Sequence, residues 1–354
     1  MKTSFKTFLI RKNIIITGQR YAIEALAAMA QGLFASLLIG TIFSTIGQQS
    51  GLSLFTEIGT FASSIKGPAM AVAIGYALQA PPLVLFSLLA VGQAADSLGG
   101  AGGPLAVYLV ALVSCELGKL VSKETKLDIL VTPAVTIFSG VLVAMAVAGH
   151  IGRAAISLGS LIMWATELQP LFMGMLVAVI MGIALTLPIS SAAICAALGL
   201  TGLAGGAALA GCCAQMVGFA VMSYRANGIG GLVAQGLGTS MLQMGNIVKK
   251  PIIWLPTIIT SAIIGPIATL IFKLEMNGAA ISSGMGTSGL VGQLGVYSGW
   301  IADMASGDKS AITAMDWTGL ILISFILPAV LTWFIAELFQ KKGLFSDQDL
   351  KLDL

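Results

Sequence analysis

Long apolar runs separated by short polar breaks make up most of the chain. Residues 22–46, 98–121, 129–149, 251–272 and 317–336 are each about as long as an α-helix must be to cross a bilayer core of about 30 Å. A membrane β-barrel would instead show alternating segments of about ten residues. The pattern therefore predicts an all-α polytopic membrane protein with about nine to eleven transmembrane segments.

Three stretches do not fit a simple crossing helix. Residues 67–95 are uncharged but contain Pro81-Pro82 at their centre, and each half is too short to span, so a broken helix or two half-helices is expected. Residues 151–166 carry Arg153 and Trp164 and suggest an interfacial helix or connector. Residues 276–302 are uncharged and rich in glycine and serine, which is typical of a re-entrant hairpin.

The region from Leu168 to Val248 contains a single charged residue, Arg225, yet many glycines and Pro188 interrupt it. Lipid cannot satisfy free backbone N–H and C=O groups, so irregular backbone at membrane depth must be buried in protein or line a wet cavity. Transporters use such broken helices at their solute sites. The alternative is that the glycines only allow close helix contact, as the spacings Gly202/Gly206 and Gly295/Gly299 permit.

Composition narrows the class of protein. Of 354 residues, 57% are hydrophobic and only 9% are charged, and the mean hydropathy is +0.96. Soluble domains carry roughly 25% charged residues, so a soluble enzyme, a nucleic-acid-binding protein and a disordered chain are excluded. We expect a multi-pass protein of the plasma membrane whose partners include membrane lipid and not nucleic acid.

Charge placement predicts the topology. Residues 1–20 contain five basic residues and no acidic one, which favours a cytoplasmic N-terminus before a retained first span. This segment is either an interfacial helix or a plain basic tail. Lys341-Lys342 favours a cytoplasmic tail over 341–354, and Lys249-Lys250 and residues 119–126 favour cytoplasmic loops.

A short motif occurs twice. Residues 236–240 read GLGTS and residues 284–288 read GMGTS. Glycine exposes backbone amides, and the adjacent hydroxyls, on Thr239, Ser240, Thr287 and Ser288, could hydrogen-bond a polyhydroxylated or anionic solute. The alternative is that these hydroxyls bond back to helix carbonyls, and the repetition is either structural or a chance match.

Polar side chains in apolar surroundings are candidates for function. Gln215 and Gln243 lie deepest and are the best candidates for a polar cavity. His150, the only histidine, either handles protons or solute or faces lipid headgroups. Arg225 marks an interfacial loop or reaches an anionic ligand, and Glu167 has a span-end position. Other residues of this kind are Gln93, Asp96, Glu116, Gln235, Asn246 and Gln293.

The remaining chemistry signals are weak. Cys115, Cys195, Cys212 and Cys213 have neither CxxC spacing nor histidine partners, so we expect no metal site. No P-loop, G-x-S-x-G or HExxH motif occurs, and GLGTS lacks the strand and helix of a dinucleotide fold. We expect no cofactor and no catalytic residue.

The stretch from Thr186 to Pro251, followed by SAIIGPIATLIFKLEMN and GMGTSGLVGQLG, resembles the PfoR-like branch of phosphotransferase-system EIIC membrane proteins. The resemblance covers most of the chain and is most specific from Thr186 to Gly295. It implies a homodimeric permease of the EIIC glucose superfamily type. Its fold would have a scaffold domain over 21–150, a transport domain over 151–340 and re-entrant hairpins near 188–201 and 279–295.

The resemblance also implies a small polar solute, a sugar or sugar derivative, held between the hairpins. The solute-binding residues are then expected to be Thr186, Pro188, Ser190, Ser191, Gln215, Gln243, Asn246, Gly286, Thr287 and Ser288. A second set with weaker claims contains His150, Glu167, Arg225, Thr239 and Ser240.

One departure from the family pattern affects the activity. Phosphorylating relatives carry a Thr-Glu-Pro element whose Glu binds the sugar, whereas this chain has Thr186-Leu187-Pro188. It also contains no IIA or IIB domain. Three hypotheses follow: a permease, a non-transporting membrane sensor or regulator with a permease fold, or the membrane component of a sugar phosphotransferase that needs separate IIA and IIB phosphocarrier proteins.

Overall fold

The computed structural model describes residues 2–352, and apart from one isolated β-bridge these residues form helices, turns and loops. Helices α2, α13 and α15 include short π- or 3-10-helical turns. The helices are α1 (Lys2–Arg11), α2 (Gln19–Gln48), α3 (Ser53–Ser64), α4 (Lys66–Ala77), α5 (Pro82–Gly99), α6 (Gly103–Val121), α7 (Asp128–Thr166), α8 (Pro170–Thr186), α9 (Ser191–Leu198), α10 (Gly202–Met222), α11 (Tyr224–Val233), α12 (Met244–Lys249), α13 (Pro251–Ile271), α14 (Val291–Ser306) and α15 (Ala314–Lys341).

The all-α polytopic membrane fold is confirmed. In residues 2–352, six apolar stretches are long enough to cross a membrane, and the longest of them, Pro82–Val121, contains both α5 and α6. Helix α8 adds a shorter apolar helix. The number of crossings, nine to eleven, stays a prediction because length and composition alone do not orient these helices.

Two sequence expectations about helix ends have different outcomes. The break at Pro81-Pro82 is confirmed: α4 ends at Ala77, and α5 starts at Pro82, where a missing N–H costs nothing. A separate connector over residues 151–166 is wrong, because α7 runs without interruption from Asp128 to Thr166, and an interfacial position for this part of the helix stays a prediction. A single Arg153 does not end a helix, and α7 continues until the approach of Pro170 disfavours helical backbone.

The chain divides into two compact units. Unit 1 contains residues 1–40 and 60–154, and unit 2 contains residues 41–59 and 155–354. In unit 1, small residues allow close helix packing: a side chain added at Gly32 would lie 2.6 Å from the Ala69 carbonyl oxygen, and one at Gly67 would lie 2.6 Å from the Gly92 carbonyl oxygen.

Unit 2 is built around α10, most of which is fully buried. Gly211 of α10 packs against Ala178 of α8, and Gln215 packs against Gly182. Because these partners advance together along both helices, α8 and α10 run in the same direction. Helix α13 runs opposite to α8, since Gly265 packs against Gly174 while Thr269 hydrogen-bonds the Pro170 carbonyl nearer the start of α8.

Candidate functional site

The segment between α8 and α10 returns the chain along the length of these two helices. Because α8 and α10 are parallel, the start of α10 lies near the start of α8. Residues 187–201 must therefore run back along α8 by roughly 20–25 Å, which is the length of about 15 helical residues. Helix α9 makes up half of this return and has eight residues, too few to span a bilayer. The Ser190 hydroxyl accepts from the Ala193 N–H and caps the start of α9, and Gly199 ends it with a left-handed φ of 58°.

The second irregular segment leads into α14. A 3-10 turn covers Ala280–Gly284, and Gly286 follows with φ of 54° close against the backbone of Cys212. A Cβ at Gly286 would lie 3.0 Å from the Cys212 carbonyl carbon, so only glycine fits both the conformation and the space. Gly289 and Leu290 are also left-handed, at 52° and 61°, and α14 begins directly after them.

The two irregular segments lie against each other. The Ser191 hydroxyl donates to the Gly284 carbonyl at 2.7 Å, and the Ser283 hydroxyl donates to the Leu200 carbonyl at 2.7 Å. Gly202 and Met276 exchange backbone hydrogen bonds of 2.9 and 3.0 Å. Neither segment forms one uninterrupted helix. That the two segments are re-entrant hairpins stays a prediction.

The first cluster of predicted site residues surrounds Gln215, which is fully buried. The Thr186 hydroxyl is 2.8 Å from the Ser240 hydroxyl and donates to Gln215 Oε1 at 3.3 Å. Gln215 Oε1 also accepts from Trp254 Nε1 and Thr257 Oγ1, both at 2.8 Å, and Gln215 Nε2 donates to Ser261 Oγ at 3.3 Å. Every polar atom of the Gln215 side chain thus has a protein partner.

The second cluster joins Gln243 and Asn246 to the C-terminal tail. Gln243 Nε2 donates to Gln235 Oε1 at 2.9 Å and to the Leu350 carbonyl at 3.0 Å. Asn246 Nδ2 donates to Gln243 Oε1 at 2.8 Å and to the Lys351 carbonyl at 2.9 Å. These two amides hydrogen-bond residues 350 and 351, and their role in lining a polar cavity stays a prediction.

An ion pair also holds this C-terminal tail in place. Lys250 Nζ lies 2.9 Å from Asp349 Oδ2. Burial raises the pKa of the Asp349 carboxyl, but hydrogen bonds from Lys250 and from the N–H and hydroxyl of Ser346 outweigh it and leave that pKa below its ordinary value. Leu350 is fully buried beside this pair.

The second copy of the repeated motif differs from these two clusters. The Thr287 hydroxyl donates to the carbonyl of Gly236, the first residue of the other copy, so the two copies are in contact. Ser288 Oγ is buried and has no hydrogen-bond partner among residues 2–352. Gln293 Nε2 contacts Cys213 Sγ at 3.5 Å, but Gln293 Oε1 is buried without a partner.

The remaining predicted residues lie apart from these clusters. His150 is exposed on α7 and its ring nitrogen contacts the Ala146 carbonyl at 3.1 Å, and Glu167 is also exposed. Arg225 is 56% exposed and pairs with Glu337 at 2.6 Å. Thr239 caps a 3-10 turn through the Met241 N–H. Pro188 is buried in the turn before α9.

Sequence reasoning missed the α13 side of the Gln215 cluster. Trp254, Thr257 and Ser261 follow one another at intervals of three and four residues, which places them on one helix face. Polar atoms repeated at that spacing within an apolar helix were the signal that could have identified them. The tail contacts of Gln243 had no such local signal.

The comparison with known families decides the class of protein. The family model described as phosphotransferase system, EIIC, matches residues 23–352. The chain belongs to the EIIC family of the phosphotransferase system. No curated protein and no solved structure matches it. As an EIIC family member, it is a membrane component that works with a solute and with phosphocarrier partners of that system.

The Gln215 cluster is electrically neutral. The side chains bonded in it are one amide, four hydroxyls and one indole, and Leu187 places no carboxylate there. Neutral groups of this kind form hydrogen bonds of ordinary strength without selecting for charge.

Proposed function

We propose that unit 2 of this EIIC family protein is the solute-binding body of a membrane permease for an uncharged, polyhydroxylated solute, a sugar or sugar derivative. The observation that carries this proposal is the pair of orphaned oxygens on the second segment, Ser288 Oγ and Gln293 Oε1. Leaving a buried polar atom unpaired costs about 1–3 kcal/mol, and native proteins keep few of them. A solute hydroxyl supplies the missing partner for each.

The position of these atoms supports a role in solute contact. Gln293 contacts Cys213, and Gly286 contacts Cys212, on the same turn of α10 that carries Gln215. The segments around 188–201 and 279–295 are short, glycine-punctuated and bonded to each other. We therefore interpret these two segments as the paired re-entrant hairpins that the family resemblance implies, and unit 2 as the transport domain.

The other predicted residues then take a supporting role. Thr186, Ser191, Gln215 and Thr287 position the two segments through their own hydrogen bonds. A movement of the two segments against a dimeric scaffold in unit 1 would carry the solute across the membrane. Separate IIA and IIB proteins would supply the phosphoryl group if transport is coupled to phosphorylation.

Solute binding by the purified full chain tests the proposal. A panel of uncharged sugars and charged sugar derivatives is titrated while thermal unfolding and direct binding are followed. We expect at least one uncharged sugar to bind, and Gln293→Leu to weaken that binding about tenfold, the loss of one or two buried hydrogen bonds. The matched control is Gln93→Leu, at an exposed glutamine of α5.

Failure of every sugar to bind folded protein, or a preference for charged solutes, would contradict the proposal. A second candidate, a sensor with a permease fold, is favoured by Leu187 in place of the family's glutamate. Proteoliposome flux separates the two, since a sensor binds the sugar and moves none of it.

A further inference from the structure

A polar cavity in unit 1 has no role in the proposed function. Its volume is about 330 Å³, at the small end of the range for ligand sites. The cavity lies where the C-terminal ends of α1, α4 and α6 come together. Six of the residues that line it are Arg11, Lys12, Asn13, Gln79, Lys119 and Lys123.

The cavity has an excess of positive charge. Among the described residues that line it or bond to its lining, five carry positive charge and three carry negative charge. The positive residues are Arg11, Lys12, Arg20, Lys119 and Lys123, and the negative residues are Glu116, Glu124 and Asp128. Lys119 is 1% exposed and Arg20 is 7% exposed. Buried cations of this number normally have matching anions.

Two of these cations have a structural role that accounts for them. Arg20 Nη2 and Lys119 Nζ donate to the Leu78 carbonyl at 2.6 and 3.1 Å, at the end of α4. Lys119 also donates to the Asn13 carbonyl at 2.8 Å and pairs with Glu116 at 2.9 Å. Cations at helix C-termini stabilise the helix dipole, so Arg20 and Lys119 are used within the protein.

The charges at the mouth of the cavity are not used in this way. Arg11, which is 62% exposed, shares the single carboxylate of Glu124 with Lys12. The Lys123 ammonium makes no hydrogen bond or ion pair within the described part of the chain. The hydrogen bond from Lys12 and the charge of Arg11 hold the pKa of Glu124 below its ordinary value, so this carboxylate stays ionised and is already saturated.

The backbone around the cavity is strained. Asn13, Gln79 and Lys123 have φ of 55°, 54° and 58°, and they are three of the five non-glycine residues with positive φ among the described residues. Such conformations are uncommon outside glycine and cluster at functional sites. Three separate chain reversals therefore turn their polar side chains around one space.

We propose that this cavity binds a phosphate-bearing anion, with Arg11 and Lys123 as its principal ligands and the amides of Asn13 and Gln79 at its wall. Phosphate accepts several hydrogen bonds at once and suits a guanidinium together with an ammonium. The phosphate belongs either to a free ion or to an anionic lipid headgroup. The inference rests on unit 1 alone and does not depend on the solute proposed for unit 2.

Lysine acylation of the unaltered protein is the first test. The full chain in detergent is treated with acetic anhydride with and without inorganic phosphate, at constant ionic strength set by chloride, and modified lysines are located by mass spectrometry. We expect phosphate to slow acylation of Lys123 by about threefold, in the range of a partly exposed ion pair. Lys126, exposed in the same loop, is the matched control and should not change.

Lipid retention is the second test. The protein is reconstituted into vesicles of phosphatidylglycerol or phosphatidylcholine, and native mass spectrometry measures the lipid that it retains. The wild type is compared with the double variant Arg11→Gln/Lys123→Gln and with Lys126→Gln. We expect the double variant to weaken binding of the phosphate ligand about tenfold and Lys126→Gln to leave it unchanged.

Each outcome decides the proposal. Protection by inorganic phosphate identifies a free anion site, and selective retention of phosphatidylglycerol through Arg11 and Lys123 identifies a headgroup site. Absence of both effects in folded protein overturns the proposal, as does equal protection of Lys123 and Lys126. The acylation arm needs no variant, so a double variant that fails to fold does not leave the question open.

Discussion

Two buried glutamines beside or within α10, Gln215 and Gln293, differ in how completely their side-chain amides are hydrogen-bonded. Gln215, on one face of α10, has a protein partner for each polar atom. Gln293, packed against Cys213 on another face of α10, has one partnered and one orphaned atom. A buried glutamine is therefore not by itself evidence of a solute site, since a saturated amide fixes the protein and an unsaturated one has an interaction left to offer.

This contrast divides the predicted site residues. Thr186 and Gln215 bond groups of α8, α10 and α13, and Thr287 bonds Gly236, whereas Ser288 Oγ and Gln293 Oε1 have no partner among the described residues. Substitutions at matched positions of the two clusters should accordingly change either stability or solute affinity, and seldom both.

The largest effect is expected at the saturated cluster. Gln215→Leu removes the acceptor of Trp254 Nε1 and one of the two acceptors of Thr257 Oγ1, and it also removes the amide partner of Ser261. An unsatisfied buried polar group costs about 1–3 kcal/mol. We expect a loss of roughly 3 kcal/mol, visible as a marked drop in thermal unfolding temperature in detergent, while Gln93→Leu has almost no effect. A fully stable Gln215→Leu variant with lost sugar binding would reverse the comparison.

A smaller effect is expected from strain in the second segment. Gly286→Ala places a Cβ at a φ of 54° and 3.0 Å from Cys212, which costs about 1–2 kcal/mol. We expect a lower unfolding temperature together with weaker solute binding, since the turn that carries Ser288 must shift. Gly307→Ala, at a left-handed glycine with open space around it, controls for strain alone and should spare binding.

A paired hydroxyl deletion gives the sharpest separation. Thr186→Val removes hydrogen bonds to Gln215 and Ser240, and we expect a loss of about 1 kcal/mol in stability with solute affinity largely kept. Ser288→Ala removes an orphaned oxygen, so stability should be unchanged or slightly higher while solute affinity falls about fivefold. Equal loss of stability in both variants would show that Ser288 has a partner after all.

The smallest effect concerns the tail that occupies Gln243 and Asn246. Because the folded pKa of Asp349 is depressed, its ion pair with Lys250 stabilises the docked tail above the ordinary pKa of 3.8 and is lost as pH falls below it. Fluorescence anisotropy of a dye at Lys351→Cys should decrease below that pH. Asp349→Asn should give the same weaker docking at neutral pH, worth less than about 1 kcal/mol for a partly exposed pair.

A dye anisotropy that is unaffected by pH and by Asp349→Asn would mean that the Asp349 carboxylate contributes nothing to docking of the tail. In that case the tail would be held by hydrogen bonds alone, from Gln243, from Asn246 and from Asn227, whose Nδ2 donates to the Leu350 carbonyl at 2.9 Å.

Sequence reasoning succeeded where local chemistry dictates the structure. Pro81-Pro82 ends one helix and starts another because proline has no N–H to donate. It failed where a connector was inferred from Arg153 and Trp164, since both residues lie within the continuous helix α7.

The candidate site was predicted only in part. Gln215 was selected as a polar residue in apolar surroundings, Thr186 through the family resemblance and Ser240 through the repeated motif, and the fold brings the three within hydrogen-bonding distance. Nothing in the local sequence could show that Gln243 bonds a carbonyl 107 residues later. The difference between saturated and orphaned atoms depends on such long-range partners, so it is visible only after folding.

The hydrogen bonds that hold residues 350 and 351 have a practical consequence for labelling this protein. The carbonyls of Leu350 and Lys351 are acceptors for the amides of Gln243 and Asn246. A rigid epitope or reporter attached next to these two residues would therefore disrupt the hydrogen bonds that hold the tail. A long glycine-serine linker avoids that disruption.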